Sequence, residues 1–480
     1  MVFTLLLASV SWQCRKDSFT NDPGAKLTFS RDTILFDTIF NTIGSTTAIL
    51  KVYNRNNQAV RVSSIKLDGG EASQYRMNVN GLPGVSFSDI EIEGGDSIFV
   101  FVEVTVDPSD SLHPFVEDKI SFLTNGNDQK VNLLAWGWDA LFYTANVFPT
   151  NGLPPYRIIN TTPGGTTTWT NAKPVVIYGY AVVDEGTKLI IEAGTKIYFH
   201  EGSGLWVYKD ACIEVNGTLE QPVIFQGDRL EPFYQDQPGQ WDRIWINEGT
   251  CENIIRHAII RNSFIGLQIE TLPFAGNEFT IISDNTLKLE NTQIYNTSVI
   301  GILARNYRIE AQNNLVYNSG EYLLVISGGG QYNFNHCTFA NYWTFGPRQQ
   351  PSVFFTNAYV NPPGVLQVRS IENTVFRNCI MYGNADDELN MEFDPGGTID
   401  ITIEYSILRY NTNNNNFSQY FGNSVFVNET PGFVNTFERN FRLISSAFAI
   451  NKGTPSSVLT DLVGTVRDGN PDIGCYEYVP

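Results

Sequence analysis

The densest run of ionisable residues in this 480-residue chain is Asp386-Asp387-Glu388, with Glu392 and Asp394 close behind. Clustered carboxylates can share a calcium ion through hard oxygen ligands. They can also divide acid and base roles at a glycosidic bond. The ligand order of a regular calcium loop is missing. Asp386, Asp387 and Glu388 therefore stand as a weak candidate metal set, and otherwise as a solvated loop near Arg377 and Arg409. No cofactor is expected. The four histidines form no catalytic set: His113 precedes Pro114, His200 ends an apolar segment, and His257 and His336 each separate two apolar runs. A serine nucleophile elbow and a phosphate-cradling glycine loop are both missing from the sequence. Cys14, Cys212, Cys251, Cys337, Cys379 and Cys475 lack close metal-type spacing. No catalytic residue is assigned.

Aromatic side chains are the stronger lead. Trp241 and Trp245 lie four apart in an apolar stretch, which predicts one face of a strand after the loop Pro232-Phe233-Tyr234. Tyr342, Trp343 and Phe345 open a long insertion. Exposed aromatics stack on sugars or anchor a protein partner, so these five are the candidate partner-binding residues.

The elements that must carry these groups repeat. Leu287–Asn296, Ile309–Asn318 and Tyr332–Asn341 each show alternating apolar residues, one polar residue, then a second apolar pair ending in Asn. Aligned on Asn291, Asn313 and His336, the repeats are 22 and 23 residues long. Alternation of period two predicts strand, and the intervening polar residue predicts a bend. A unit this short buries its apolar side only by stacking on its neighbours. The pattern predicts coils of a right-handed parallel β-helix. Equivalent bends fall at His257, Asn378 and Tyr405, and Asn or His side chains there are expected to form a hydrogen-bonded structural ladder through His257, Asn291, Asn313, His336 and Asn378. Cys337 and Cys379 follow their bends directly and read as small buried neighbours.

Composition agrees with an all-β protein: Phe and Tyr are plentiful, and only 17% of residues are charged. A net charge of −19 disfavours a nucleic-acid backbone or an anionic lipid surface as the main ligand. Five apolar segments between Ile34 and Leu123, separated by Asn- and Gly-rich turns, predict a β-sandwich of about seven strands over 21–140. A proline-bearing linker is expected over 141–160, the β-helix over 161–435, and a C-terminal cap over 436–480.

Four resemblances extend this. The apolar run Val2–Val10 leading to Cys14-Arg15-Lys16-Asp17 resembles a bacterial lipoprotein signal, which implies that residues 1–20 are signal and anchor and that Cys14 is lipidated. Leu50–Leu67 resembles immunoglobulin-like domains of the Hydin/ASPM type, which generally act as spacers or interaction modules. Lys188–Phe199, Gly204–Tyr208, Ile213–Leu219 and Pro222–Phe225 resemble the opening coils of the pectate-lyase-like β-helix superfamily, with Gly194, Gly204 and Gly217 expected at positive-φ corners. The closing Pro471-Asp-Ile-Gly-Cys-Tyr-Glu-Tyr478 resembles the segment that closes many bacterial surface β-helices.

Together these imply a Bacteroidetes-like, outer-membrane cell-surface lipoprotein that acts as a rigid scaffold or binding subunit. Its partner would be an outer-membrane or surface protein, or a surface glycan, and it would meet the membrane through the N-terminal lipid. A polysaccharide lyase or glycosidase on the same fold, or a glycan-binding adhesin, remains the alternative.

Overall fold

The computed structural model describes residues 18–40, 45, 47–105, 115–271, 285–361, 364–413 and 415–480. Cys14 and His113 lie outside them. The chain divides into two compact units, 1–140 and 141–480.

The first unit is a β-sandwich of two five-stranded sheets. One sheet runs Thr28–Phe29, Ala48–Tyr53, Ser97–Val104, Tyr75–Val79, Leu82–Gly84; the other runs Thr33–Phe40, Asn127–Trp138, Phe115–Thr124, Val60–Leu67, Ser86–Ile92. Alternation drives it: Val100, Val102 and Val104 point inward against Val60, Val62 and Ile65 of the facing sheet. The ten strands among the described residues exceed the expected seven because edge pieces such as Thr28–Phe29 and Leu82–Gly84 are too short to display a period.

The second unit is a parallel β-helix. Each coil visits three parallel ladders in turn. The first is an eleven-stranded sheet. The second and third merge into one sheet because Ile300–Gln312 and Tyr322–Asn335 each run continuously through both. Stacking keeps apolar residues on apolar residues from coil to coil, with register shifts at Arg305/Tyr307, Gly330/Asn333 and Ile371/Thr374. On the third ladder Trp169, Ile191, Val215, Ile255, Leu289, Ala311, Phe334, Phe376 and Ile403 form one buried interior column. Within it, Phe334 and Phe376 stack at 4.9 Å with nearly parallel rings. Among the described residues, no helix is long and apolar enough to cross a membrane.

Residues 141–160 are not a linker. Leu141–Thr144 pairs with Val175–Tyr178 and Tyr156–Ile158 pairs with Tyr180–Val182, so this stretch is already two sides of the first coil. Pro149, Pro154 and Pro155 occupy the connection between the two strands, which a Val147–Tyr156 bridge closes. The prolines interrupt a corner and leave the ladder amides intact.

The third-to-first-ladder bends have a single backbone cause. His257, Asn291, Asn313, His336, Asn378 and Tyr405 all adopt φ between +46° and +56°. Asn tolerates this left-handed region better than most side chains. Of the proposed glycine corners, Gly194 has positive φ (76°). Gly204 and Gly217 do not; each is glycine because a Cβ would strike the next coil, at the Arg243 and His257 carbonyls respectively.

The C-terminal segment caps the solenoid along its flank instead of at its end. Outward-facing Leu315, Tyr317, Ala340, Ile380, Tyr382 and Ile407 of the first ladder are buried beneath Phe441, Leu443, Leu462, Ile473 and Cys475. The signal was present: Leu315-Val316-Tyr317 and Ile380-Met381-Tyr382 are apolar at consecutive positions, as in a strand buried on both faces. The open end of the core is met by Tyr410, Phe417, Tyr420 and Phe421.

Candidate functional site

The bend side chains hydrogen-bond in two groups, His257–Asn291–Asn313 and His336–Asn378, and the expected continuous ladder is interrupted between Asn313 and His336, where Arg467 takes the Asn313 oxygen. Asn291 Nδ2 meets His257 Nε2 at 3.3 Å, and Asn313 Nδ2 donates to Asn291 Oδ1 at 3.2 Å. Further along, Asn378 Nδ2 meets His336 Nε2 at 2.9 Å. Asn313 also reaches across to the C-terminal segment: it donates to the Thr460 carbonyl at 2.6 Å and accepts from the Arg467 guanidinium at 2.9 Å. Asn378 does the same with Thr454, donating to its carbonyl and accepting its N–H. The ladder thus doubles as the fastening line for the C-terminal segment 436–480, a strap along the solenoid's flank. Asn313→Leu is expected to cost about 3 kcal/mol, from unpaired buried partners and a branched side chain at positive φ. The same change at exposed Asn413 should cost within about 0.5 kcal/mol. Comparison of the two denaturation midpoints checks this; equal values would refute it.

The five aromatic candidates separate. Trp241 is buried, stacks on Phe199 at 4.2 Å and donates Nε1 to the Arg261 carbonyl at 2.8 Å. It is a core residue. Asp242 and Arg243 leave the ladder between the two tryptophans and shift the phase, so Trp245 faces outward while Ile244 and Ile246 fill the interior. Trp245 stacks on Trp206 at 4.5 Å with near-parallel planes, so part of its ring face is already taken by a neighbouring coil. Tyr342 is half-buried against Phe433 and Phe441 of the C-terminal segment. Trp343 and Phe345 pack together at 5.0 Å, and Phe345 is exposed.

The acidic run points three ways. The Glu388 side chain is fully buried, not solvated: it takes Arg348 at 2.6 Å, the Ser352 hydroxyl and the Ala385 N–H. Arg348, from the long insertion, is itself buried and supplies the countercharge that makes this burial tolerable. Asp386 is exposed beside Arg409 at 3.2 Å. Asp387 accepts the Asn411 N–H at 2.6 Å. Their oxygens do not converge, and among the described residues no His, Cys, Asp and Glu group is placed to hold a metal ion. Arg377 pairs with Glu404. Cys212 and Cys251 form a disulfide between adjacent coils, a pair that sequence spacing alone does not reveal. Cys337, Cys379 and Cys475 are free thiols, all buried.

A cleft that no single motif announced lies beside the loop 228–240. It is about 410 Å³ and lined by His200, Glu201, Asp228, Phe233, Tyr234 and Gln240 among others. Strands Lys196–Phe199 and Val223–Gly227 are neighbours in the first ladder, which brings His200 and Asp228 together at their ends. His200 Nδ1 meets Asp228 at 2.8 Å, and its ring stacks on Tyr178 at 4.5 Å. The Asp228 hydrogen bond holds the His200 pKa above its ordinary value, against the opposing effect of burial. Arg229 binds Glu231 at 2.8 Å and lies 3.8 Å over the Tyr234 ring. Phe233 is 71% exposed at the rim. The loop is held in place: Gln240 Nε2 donates to the Tyr234 and Gln237 carbonyls, Asn262 to Gln235, and Arg439 pairs with Asp236. Proline and aromatic residues marked this loop in the sequence. The pairing of His200 with Asp228, 28 residues on, required the register.

A second polar line crosses the outward face of the second ladder. The Tyr180 hydroxyl donates to Asp242, which pairs with Arg243; Arg243 contacts Gln268. Glu270 receives Gln268, Trp245 Nε1 and Arg305. Each carboxylate here has a cation of its own.

No family model matches the chain, and neither does any curated protein. Among solved structures, a family 123 glycoside hydrolase from Clostridium perfringens, described for the hydrolysis of glycolipid glycans, shows similarity. It covers 22% of this chain and 23% of that chain, at 8% identity and a TM-score of 0.17. A likeness of that extent carries no functional argument.

Proposed function

We propose that this chain is a non-catalytic, surface-anchored binding protein. In this reading Cys14 bears lipid, the sandwich acts as an immunoglobulin-like spacer at the outer membrane, and the β-helix presents a rigid recognition surface to an outer-membrane or surface protein. The observation that carries it is the cleft at 200–240. Two ion pairs close within it, His200 with Asp228 and Arg229 with Glu231, beside Glu201 and an exposed aromatic rim. Charges neutralised in fixed pairs orient a ligand and add specificity. An aromatic that enters a partner's pocket supplies affinity. A surface glycan is the second reading, favoured by the same lining: a sugar's apolar face on Phe233, its hydroxyls on Gln237 and Gln240.

Partner recovery from native membranes tests this. Phe233→Ala together with Phe345→Ala should reduce recovery at least thirtyfold, since an aromatic anchor commonly contributes over about 2 kcal/mol. Both rings are exposed, so the fold should be unaffected. Undiminished recovery of the same partners by the double variant would refute the proposal. Loss of binding to an immobilised glycan, with protein recovery intact, would favour the glycan reading.

A further inference from the structure

One face of the sandwich is apolar, aromatic and cationic in a chain of net charge −19. Ile49, Lys51 and Tyr53 point outward from Ala48–Tyr53, beside Phe99 and Phe101 of Ser97–Val104. The register places Lys51 next to Phe99 and Ile49 next to Phe101. Ile49 is 48% and Phe99 43% exposed. Lys51 Nζ sits 5.3 Å from the Tyr53 ring and 5.2 Å from Phe99, and the Arg55 guanidinium lies 4.8 Å over Tyr53. Glu103, on the same face two residues beyond Phe101, accepts the Thr47 hydroxyl, and Asp96, at the other end of the strand, accepts the Ser97 N–H.

The described N-terminal residues reach the same end of the sandwich, where the Phe19 ring lies 4.5 Å from the Arg61 guanidinium of the other sheet. Ser18 Oγ accepts from Gln58 Nε2 at 3.2 Å, and Thr20 N–H donates to the Ala59 carbonyl. Gln58 belongs to the turn that leaves Tyr53, three residues after Arg55. Cys14 precedes Ser18 by four residues, a reach of at most about 14 Å. A lipid on Cys14 would therefore hold this end of the sandwich at a bilayer surface. Aromatic rings seat at the headgroup level and nearby Lys or Arg meets anionic phosphates.

We propose that the Ile49–Lys51–Tyr53–Arg55–Phe99 face lies on the anionic membrane surface, a second attachment beside the lipid. This rests on the lipid-anchor reading of Cys14. A basic or apolar surface beside a lipid adds to the membrane attachment.

Co-sedimentation with vesicles tests it, using the full chain carrying Cys14→Ala so that no lipid contributes. Vesicles of phosphatidylglycerol and phosphatidylethanolamine should bind the chain, and vesicles of phosphatidylcholine alone should bind it at least tenfold less. Half-molar salt should release it. Lys51→Gln with Arg55→Gln should lower partitioning by about 25-fold, roughly fivefold per charge, and Phe99→Ser should lower it again. All three residues are outward-facing, so unchanged melting serves as the folding control. Equal binding to both vesicle types, no binding to either, or loss of a protein partner by these variants without loss of vesicle binding would each overturn the proposal. Membrane partitioning of the chain with Cys14 intact, against Cys14→Ala, reads the lipid anchor separately.

Discussion

Lowering the pH from 7 to 5 is expected to weaken the β-helix by about 2 kcal/mol through His336 alone. His336 is fully buried at its bend. Burial, and after it the nearby Arg467 guanidinium, depress its pKa to about 3. The unfolded chain takes up a proton near 6.5, whereas the folded chain resists until about 3. Stability is therefore full above the unfolded value and is lost as the pH falls, at about 1.4 kcal/mol per unit across that window. His257, also lowered by burial, acts in the same direction. Asp472 and Glu477, raised by burial, act in the opposite one. The comparison that isolates the effect is His336→Asn. Asn holds three equivalent bends at the same positive φ and can keep the contact with Asn378. This variant should lie within about 1 kcal/mol of the native chain at pH 7 and should lose most of the acid slope. Parallel slopes for the two proteins in denaturant titrations at pH 5 and pH 7 would refute it.

Arg467→Ala should be the more damaging single change, about 3–5 kcal/mol. The Arg467 side chain is 3% exposed and meets Glu477 at 2.9 Å, the Gly474 carbonyl at 3.0 Å and Asn313 Oδ1 at 2.9 Å. Truncation leaves the Glu477 carboxylate buried without its cation and breaks the junction between strap and ladder. The strap should then open to protease within 436–480, exposing Leu315, Tyr317 and Ala340, while the sandwich stays intact. Arg61→Ala is the control: its pair with Glu91 is half-exposed on both sides. Such pairs typically contribute under about 1 kcal/mol. If the two variants resist protease and denaturant equally, the strap is not fastened as described. Removing Arg467 also takes a cation away from His336, so the pH window over which stability falls should close at a higher pH in the Arg467 variant than in the native chain.

The local period carried the architecture. Alternation in 22- and 23-residue units, each broken by one polar residue, specified parallel stacked strands, because no other arrangement buries so short an apolar face. Asn at the bends was legible for the same local reason: left-handed backbone discriminates among side chains without reference to the rest of the molecule. The site was not legible in this way. Trp241 and Trp245 are four residues apart, yet a two-residue departure from the ladder sends one into the core and the other outward. Glu388 belongs to an acidic run in the sequence but is a buried ion pair in the fold, since Arg348, 40 residues away, supplies the charge. His200 acquired Asp228, Cys212 acquired Cys251, and Asn313 acquired Arg467, each from a coil or strap that only the stacking brings near. Sequence period dictates which side of a strand is wet. Partners one coil apart depend on the lengths of the intervening loops, which vary from coil to coil, and those distances exist only in the folded chain.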